Sequence, residues 1–139
     1  MNVFLDANVL IIVLNKEYPK FPNAAKILSL ANGRRYRLYT SPICLAIAFY
    51  FASKVCGEER AKEKIAELIK HIRIAPILEK ATMATFSNKK IIDVEDGLKY
   101  YAAKEAKCDL IVTEDSNDFY FSDIPVYDCS YFLTMQVLN

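Results

Sequence analysis

The stretch Met1-Asn2-Val3-Phe4-Leu5, closed by Asp6, constrains this chain more than any other. A short apolar run that breaks into Asp6-Ala7-Asn8 and resumes from Val9 to Leu14 reads as a buried strand feeding a helix, with a carboxylate delivered to the junction. Open α/β sheets place their chemistry at such junctions. An aspartate behind a fully apolar strand is costly unless a cation or a helix N-terminus compensates its charge. Asp6 therefore reads either as a site residue or as the cap of the first helix.

The rest of the chain supplies the partners such a strand needs. The pattern predicts helices over about 8–15 and 24–31, the second capped by Asn23 and ended at Asn32-Gly33 by a left-handed residue. A strand over 36–40 follows, then a helix over 42–55 that Ser41-Pro42 opens in cap-then-proline order. This helix is apolar almost all round, which predicts burial on several sides. An amphipathic helix over 58–70, with Ile65, Leu68 and Ile69 inward, precedes a strand over 72–77 and helices over 80–87 and 92–106. Strands over 110–112 and 124–127 and a short helix from Ser130 complete the order. Strands alternating with helices, without a tight hairpin signal, argue for an α/β fold with a central parallel sheet between helical layers.

With 139 residues and only three glycines, the chain fits a single domain over 1–139 without long linkers. Its core needs no disulfide. Cys44, Cys56, Cys108 and Cys129 lack metal-ligand spacing and read as reduced thiols, with Cys44 and Cys108 in the core. The run from Val9 to Leu14 is far short of the ~20 residues that span a bilayer, and no basic leader precedes it. A cytoplasmic protein without a membrane partner is expected. A net charge of +1 leaves nucleic-acid binding to local patches, of which Arg34-Arg35-Tyr36-Arg37 and Lys89-Lys90 are candidates that read more readily as solvated turns.

Two later segments carry acids toward the edge that holds Asp6. Asp93-Val94-Glu95-Asp96-Gly97 opens a helix, where Asp93 is the expected cap and Asp96 lies one turn on, on the face of Tyr100. Asp115 and Asp118 follow the strand over 110–112 in a polar turn, where either could serve only local backbone bonding. Acids reaching one edge from separated segments, without histidine or thiol, suit Mg²⁺ or Mn²⁺. A metal so held could hydrolyse a phosphodiester. Phosphate-binding glycine loops and nucleophile-elbow motifs are absent, and the lone His71 lies away from the acids.

These same segments resemble the PIN-domain family. Phe4-Leu5-Asp6-Ala7-Asn8-Val9-Leu10 is similar to its opening, Asp93 to Leu98 with Tyr100-Tyr101-Ala102 to its acidic helix, and Ile111 to Phe119 to its closing strand and turn. The resemblance implies a PIN-like three-layer α/β/α fold and a Mg²⁺- or Mn²⁺-dependent ribonuclease acting on single-stranded or structured RNA. It further implies an antitoxin protein as partner, in a VapBC-type pair, and a homodimer. Asp6, Asp96 and Asp115 would be catalytic, these three with Asp118 would hold metal, and Asn8 and Thr113 would shape the site. Where the family usually has a second acid, on the third helix, this chain has Ile47, as in a subgroup lacking that residue. The alternative is therefore a PIN-like domain with a degenerate site, acting as an RNA-binding or protein-interaction module. A phosphoacceptor receiver domain would need an acid pair after the first strand and a lysine after the last, and the chain has neither.

Overall fold

The computed structural model describes residues 1–138. Its sheet contains β1 (Asn2–Leu5), β2 (Arg37–Thr40), β3 (Arg73–Ile74), β4 (Leu110–Val112) and β5 (Val126–Tyr127), all parallel, in the order β3-β2-β1-β4-β5. Among the described residues seven helices surround it: α1 (Ala7–Asn15), α2 (Phe21–Ser29), α3 (Pro42–Cys56), α4 (Glu58–Leu68), α5 (Glu79–Ser87), α6 (Val94–Glu105) and α7 (Cys129–Phe132). One group packs α1 on α2 and α3, α4 on α3 and α7 on α2. In the other, α5 packs on α6.

The most apolar strand takes the centre. Val3, Phe4 and Leu5 are fully buried, as are Ile111 and Val112 of the neighbouring β4. Burying a side chain of this size contributes roughly 1.5–3 kcal/mol, so β1 and β4 are the segments with most to gain from the middle of the sheet. The chain first adds β2 and β3 on one side of β1, then returns to add β4 and β5 on the other. The order thus reverses between β1 and β4, the switch point at which open α/β sheets place their sites. Leu5 pairs with Val112, which sets Asp6 beside Thr113, and the Asp6 amide donates to the Val112 carbonyl at 3.0 Å.

Several local expectations need correction. Lys20, not Asn23, precedes the first residue of α2, and Pro22 falls in its first turn, where a missing N–H costs nothing. Gly33 is extended (φ −97°), because a single 3₁₀ turn over Leu30–Asn32 ends the segment without a left-handed residue. The outer strands β3 and β5 are only two residues long. On α3 only Cys44, Ala48 and Ala52 are buried, whereas Tyr50, Phe51 and Val55 are exposed. Small residues are the fully buried ones there and Leu45, Ile47 and Phe49 are half-buried against the core, so the helix is covered on one side and not on several. On α4 the buried residue is Ala61, and Ile69 is exposed. None of the described helices is long and apolar enough to cross a membrane.

Candidate active site

The site at the carboxyl ends of β1 and β4 is built from Asp6 outward. Ending an extended strand, Asp6 turns its carboxylate back to cap α1, with Oδ1 accepting from the Ala7 amide at 2.7 Å. Capping is only part of its role. The same oxygen lies 2.9 Å from the Lys99 ammonium and accepts from the Cys44 thiol at 3.9 Å, while Oδ2 accepts from the Thr113 hydroxyl at 2.8 Å. The carboxylate is buried and multiply bonded, the condition under which a buried charge is tolerable.

Thr113, at the end of β4, spends its whole hydrogen-bonding capacity here. Its hydroxyl donates to Asp6 and accepts from Asn8 Nδ2 at 3.0 Å and from the Asp115 amide at 3.1 Å. Asn8 in turn reaches Asp115 Oδ2 at 3.1 Å and accepts from the Glu114 amide at 3.2 Å. These bonds tie the first turn of α1 to the turn after β4, so Asn8 and Thr113 hold Asp6 and Asp115 in one network. Glu114 leaves it: its carboxylate pairs with Lys20 at 3.4 Å and accepts from the Cys129 amide at 2.9 Å. Asp118 sits on the following exposed turn, its amide bonded to the Asp115 carbonyl at 3.0 Å.

The acidic helix sorts its carboxylates as its spacing predicts. Asp93 caps α6 by accepting from the Glu95 amide at 2.9 Å, Glu95 is exposed, and Asp96 is buried on the inward face with Lys99 and Tyr100. Lys99 Nζ lies 3.6 Å from Asp96 Oδ1 and so bridges Asp96 and Asp6. Burial, then Lys99 in opposition, then the Asp93, Asp118 and Asp6 carboxylates, leave the Asp96 carboxyl raised to about 6. Burial and the Asp115, Asp6 and Asp93 charges push Asp118 up as well. Burial alone would lower Lys99, but Asp6 above all, with Cys44 and Asp96, holds it above the ordinary lysine range, so it is a cation at any working pH.

Two residues of this centre were not singled out as site residues from the sequence. Lys99 is one, although its place three residues after Asp96, on the face that also carries Tyr100 and Ala103, is the signal that could have found it. Cys44 is the other. On α3, whose Ile47 is half-buried against the core, the group facing Asp6 is this thiol, pushed by burial and by Asp6 to about 11 and therefore neutral. Arg37 begins β2, at the opposite end of the sheet, and shares a pocket with Arg34, Arg73 and His71. That basic patch and His71 stand apart from the acids.

The donor chemistry suits a hard divalent cation. Asp6, Asp96, Asp115 and Asp118 offer only oxygens, and burial, with neighbouring carboxylates adding to it, raises both Asp96 and Asp118. Yet among the described residues no three acids, histidines or thiols lie together closely enough to hold an ion as the side chains stand. Lys99 occupies the place between the two inner acids.

Comparison with known proteins agrees with this architecture. The family model described as PIN domain matches residues 2–117. Ribonuclease VapC1 of Aquifex aeolicus (strain VF5) is 28% identical over 128 residues, covering 89% of this chain and 88% of that protein. VapBC-1 from nontypeable Haemophilus influenzae superposes with a TM-score of 0.70 at 22% identity, over 94% of this chain and 99% of that one. VapC20 of Mycobacterium tuberculosis, a sarcin-ricin loop cleaving toxin, superposes with a TM-score of 0.62 at 12% identity, over 78% and 86% of the two chains.

Proposed function

The chain belongs to the PIN-domain family, and from that premise we propose that it is a divalent-metal-dependent endoribonuclease and the toxin of a toxin–antitoxin pair. The observation that carries this reading is the pair of buried carboxylates, Asp6 and Asp96, facing one cation at the sheet's switch point. Asp6, Asp96 and Asp115 are the catalytic acids, and Asp118 joins them in holding Mg²⁺ or Mn²⁺. When bound, such an ion neutralises the scissile phosphate and lowers the pKa of a coordinated water.

The chain's own residues set the conditions for that chemistry. Thr113 orients Asp6, and Asn8 fixes Asp115 against the Thr113 hydroxyl. Asp115 and Asp118 are exposed at the rim, where RNA has access, while Asp6 and Asp96 lie deeper. The partner is an antitoxin protein, by likeness to the VapBC assemblies that share the fold. Purified protein incubated with single-stranded and structured RNA in Mn²⁺, Mg²⁺ or EDTA tests the activity. Metal-dependent cutting that Asp96→Asn abolishes in a folded protein is the expected result.

A second reading is a PIN-like module that binds RNA or protein without cutting. Ile47 in place of an acid and the Lys99 ammonium on the two inner carboxylates favour it. RNA binding retained without cleavage in any divalent metal would establish this reading instead.

A further inference from the structure

We propose that Lys99 is a tethered cation that holds the inner ligand position of the carboxylate site, so that a divalent ion binds only by displacing its ammonium from Asp6 and Asp96. This rests on the reading that these acids receive such an ion. The Lys99 side chain is only 8% exposed, and its Nζ stands 2.9 Å from Asp6 Oδ1 and 3.6 Å from Asp96 Oδ1. Asp6 has no idle oxygen: Oδ2 takes the Thr113 hydroxyl, and Oδ1 takes the Ala7 amide, the Cys44 thiol and Lys99.

An incoming ion therefore finds both Asp6 oxygens and Asp96 Oδ1 already engaged, and of those engagements only Lys99 carries positive charge. A divalent ion and an ammonium cannot share two carboxylates at these distances without strong repulsion at the low dielectric of a buried site. The lysine can yield, because its ammonium is a point charge on a flexible four-carbon stem that can swing toward the rim. The rim around Asp115 and Asp118 is exposed, so the displaced ammonium is rehydrated there and not driven into an apolar wall. The site thus keeps a charge-balanced form without metal and exchanges one cation for another when it is loaded.

Mn²⁺ binding followed by electron paramagnetic resonance of the free ion, with melting temperature measured in parallel, tests the exchange without relying on catalysis. Lys99→Gln is expected to bind Mn²⁺ roughly tenfold or more tightly than the unaltered protein. It is also expected to melt lower than the unaltered protein in EDTA, where Asp6 has lost its counter-ion, and to regain that stability in Mn²⁺. Lys99→Arg, which keeps the charge, is expected to bind no more tightly than the unaltered protein.

If the unaltered protein binds Mn²⁺ through Asp96 and Lys99→Gln binds it no more tightly, the displacement is wrong while the metal site stands. If neither protein binds Mn²⁺ at millimolar concentration, the metal reading falls and the exchange with it. Should Lys99→Gln fail to fold in EDTA, refolding it in Mn²⁺ decides the matter. Recovery supports the exchange, and failure in both conditions overturns it.

Discussion

The hydroxyl of Thr113 joins Asp6, Asn8 and Asp115 through one atom, so a single substitution tests the whole network. Thr113→Val keeps the shape of the side chain and leaves a buried charge and two donors short of a partner. It is expected to lower stability by about 2–3 kcal/mol, read as a shift in the urea midpoint, and to reduce RNA cleavage through disorder of Asp6. Asp96 makes a second prediction possible at this scale. Its carboxyl is raised from 3.8 to about 6, so the folded protein retains a proton there that the unfolded chain has already released. Folded protein is thus favoured in the protonated form, and Asp96 makes stability fall as pH rises from about 4 to about 6. Urea unfolding in EDTA across that window should show the fall, and Asp96→Asn should remove it.

Among elements, α5 packs against α6 with Thr85 over Gly97. A Cβ added there would lie 2.6 Å from Thr85 Cγ2 and 2.8 Å from Ile91 Cγ2, closer than packed carbons come. Gly97→Ala gains up to ~1 kcal/mol of helix propensity but must push α6 away from α5. A net loss of about 1–2 kcal/mol is expected in denaturant melts, with weaker cleavage because Asp96 is the adjacent residue. The same scale shows what the sequence makes legible. Continuous apolar runs ending in acids placed β1 and β4, and Ser41-Pro42 placed the start of α3, because each signal is local; the Ser41 hydroxyl does accept from the Cys44 amide, at 3.3 Å. The inward side of α3 was not legible, since apolar residues surround the helix and only its neighbours decide which of them are covered. Lys99 was hidden for a related reason. A lysine in a helix ordinarily reads as solvated, and its role depends on Asp6, far away in the sequence, lying beneath it.

Viewed whole, the molecule leaves large apolar side chains in solvent. Leu78, Met83, Phe86 and Ile92 are exposed before, along and after α5, at 53%, 62%, 69% and 86% respectively, and Tyr50, Phe51 and Val55 on α3 are exposed too. Surfaces of this kind mark protein contacts. A homodimer is expected, with light scattering returning about twice the 15.9 kDa chain mass, and Phe86→Glu is expected to return it to the single-chain mass. A final consequence follows from the position of β1, first in the chain yet central in the sheet. During synthesis it can pair with β2 early, but its other edge stays open until β4 leaves the ribosome, and Asp115 emerges after that. No nascent fragment shorter than this can carry the assembled acids. Prematurely ended products would be catalytically inert and would display an unpaired apolar strand edge, the kind of surface that aggregates or is captured by chaperones and proteases.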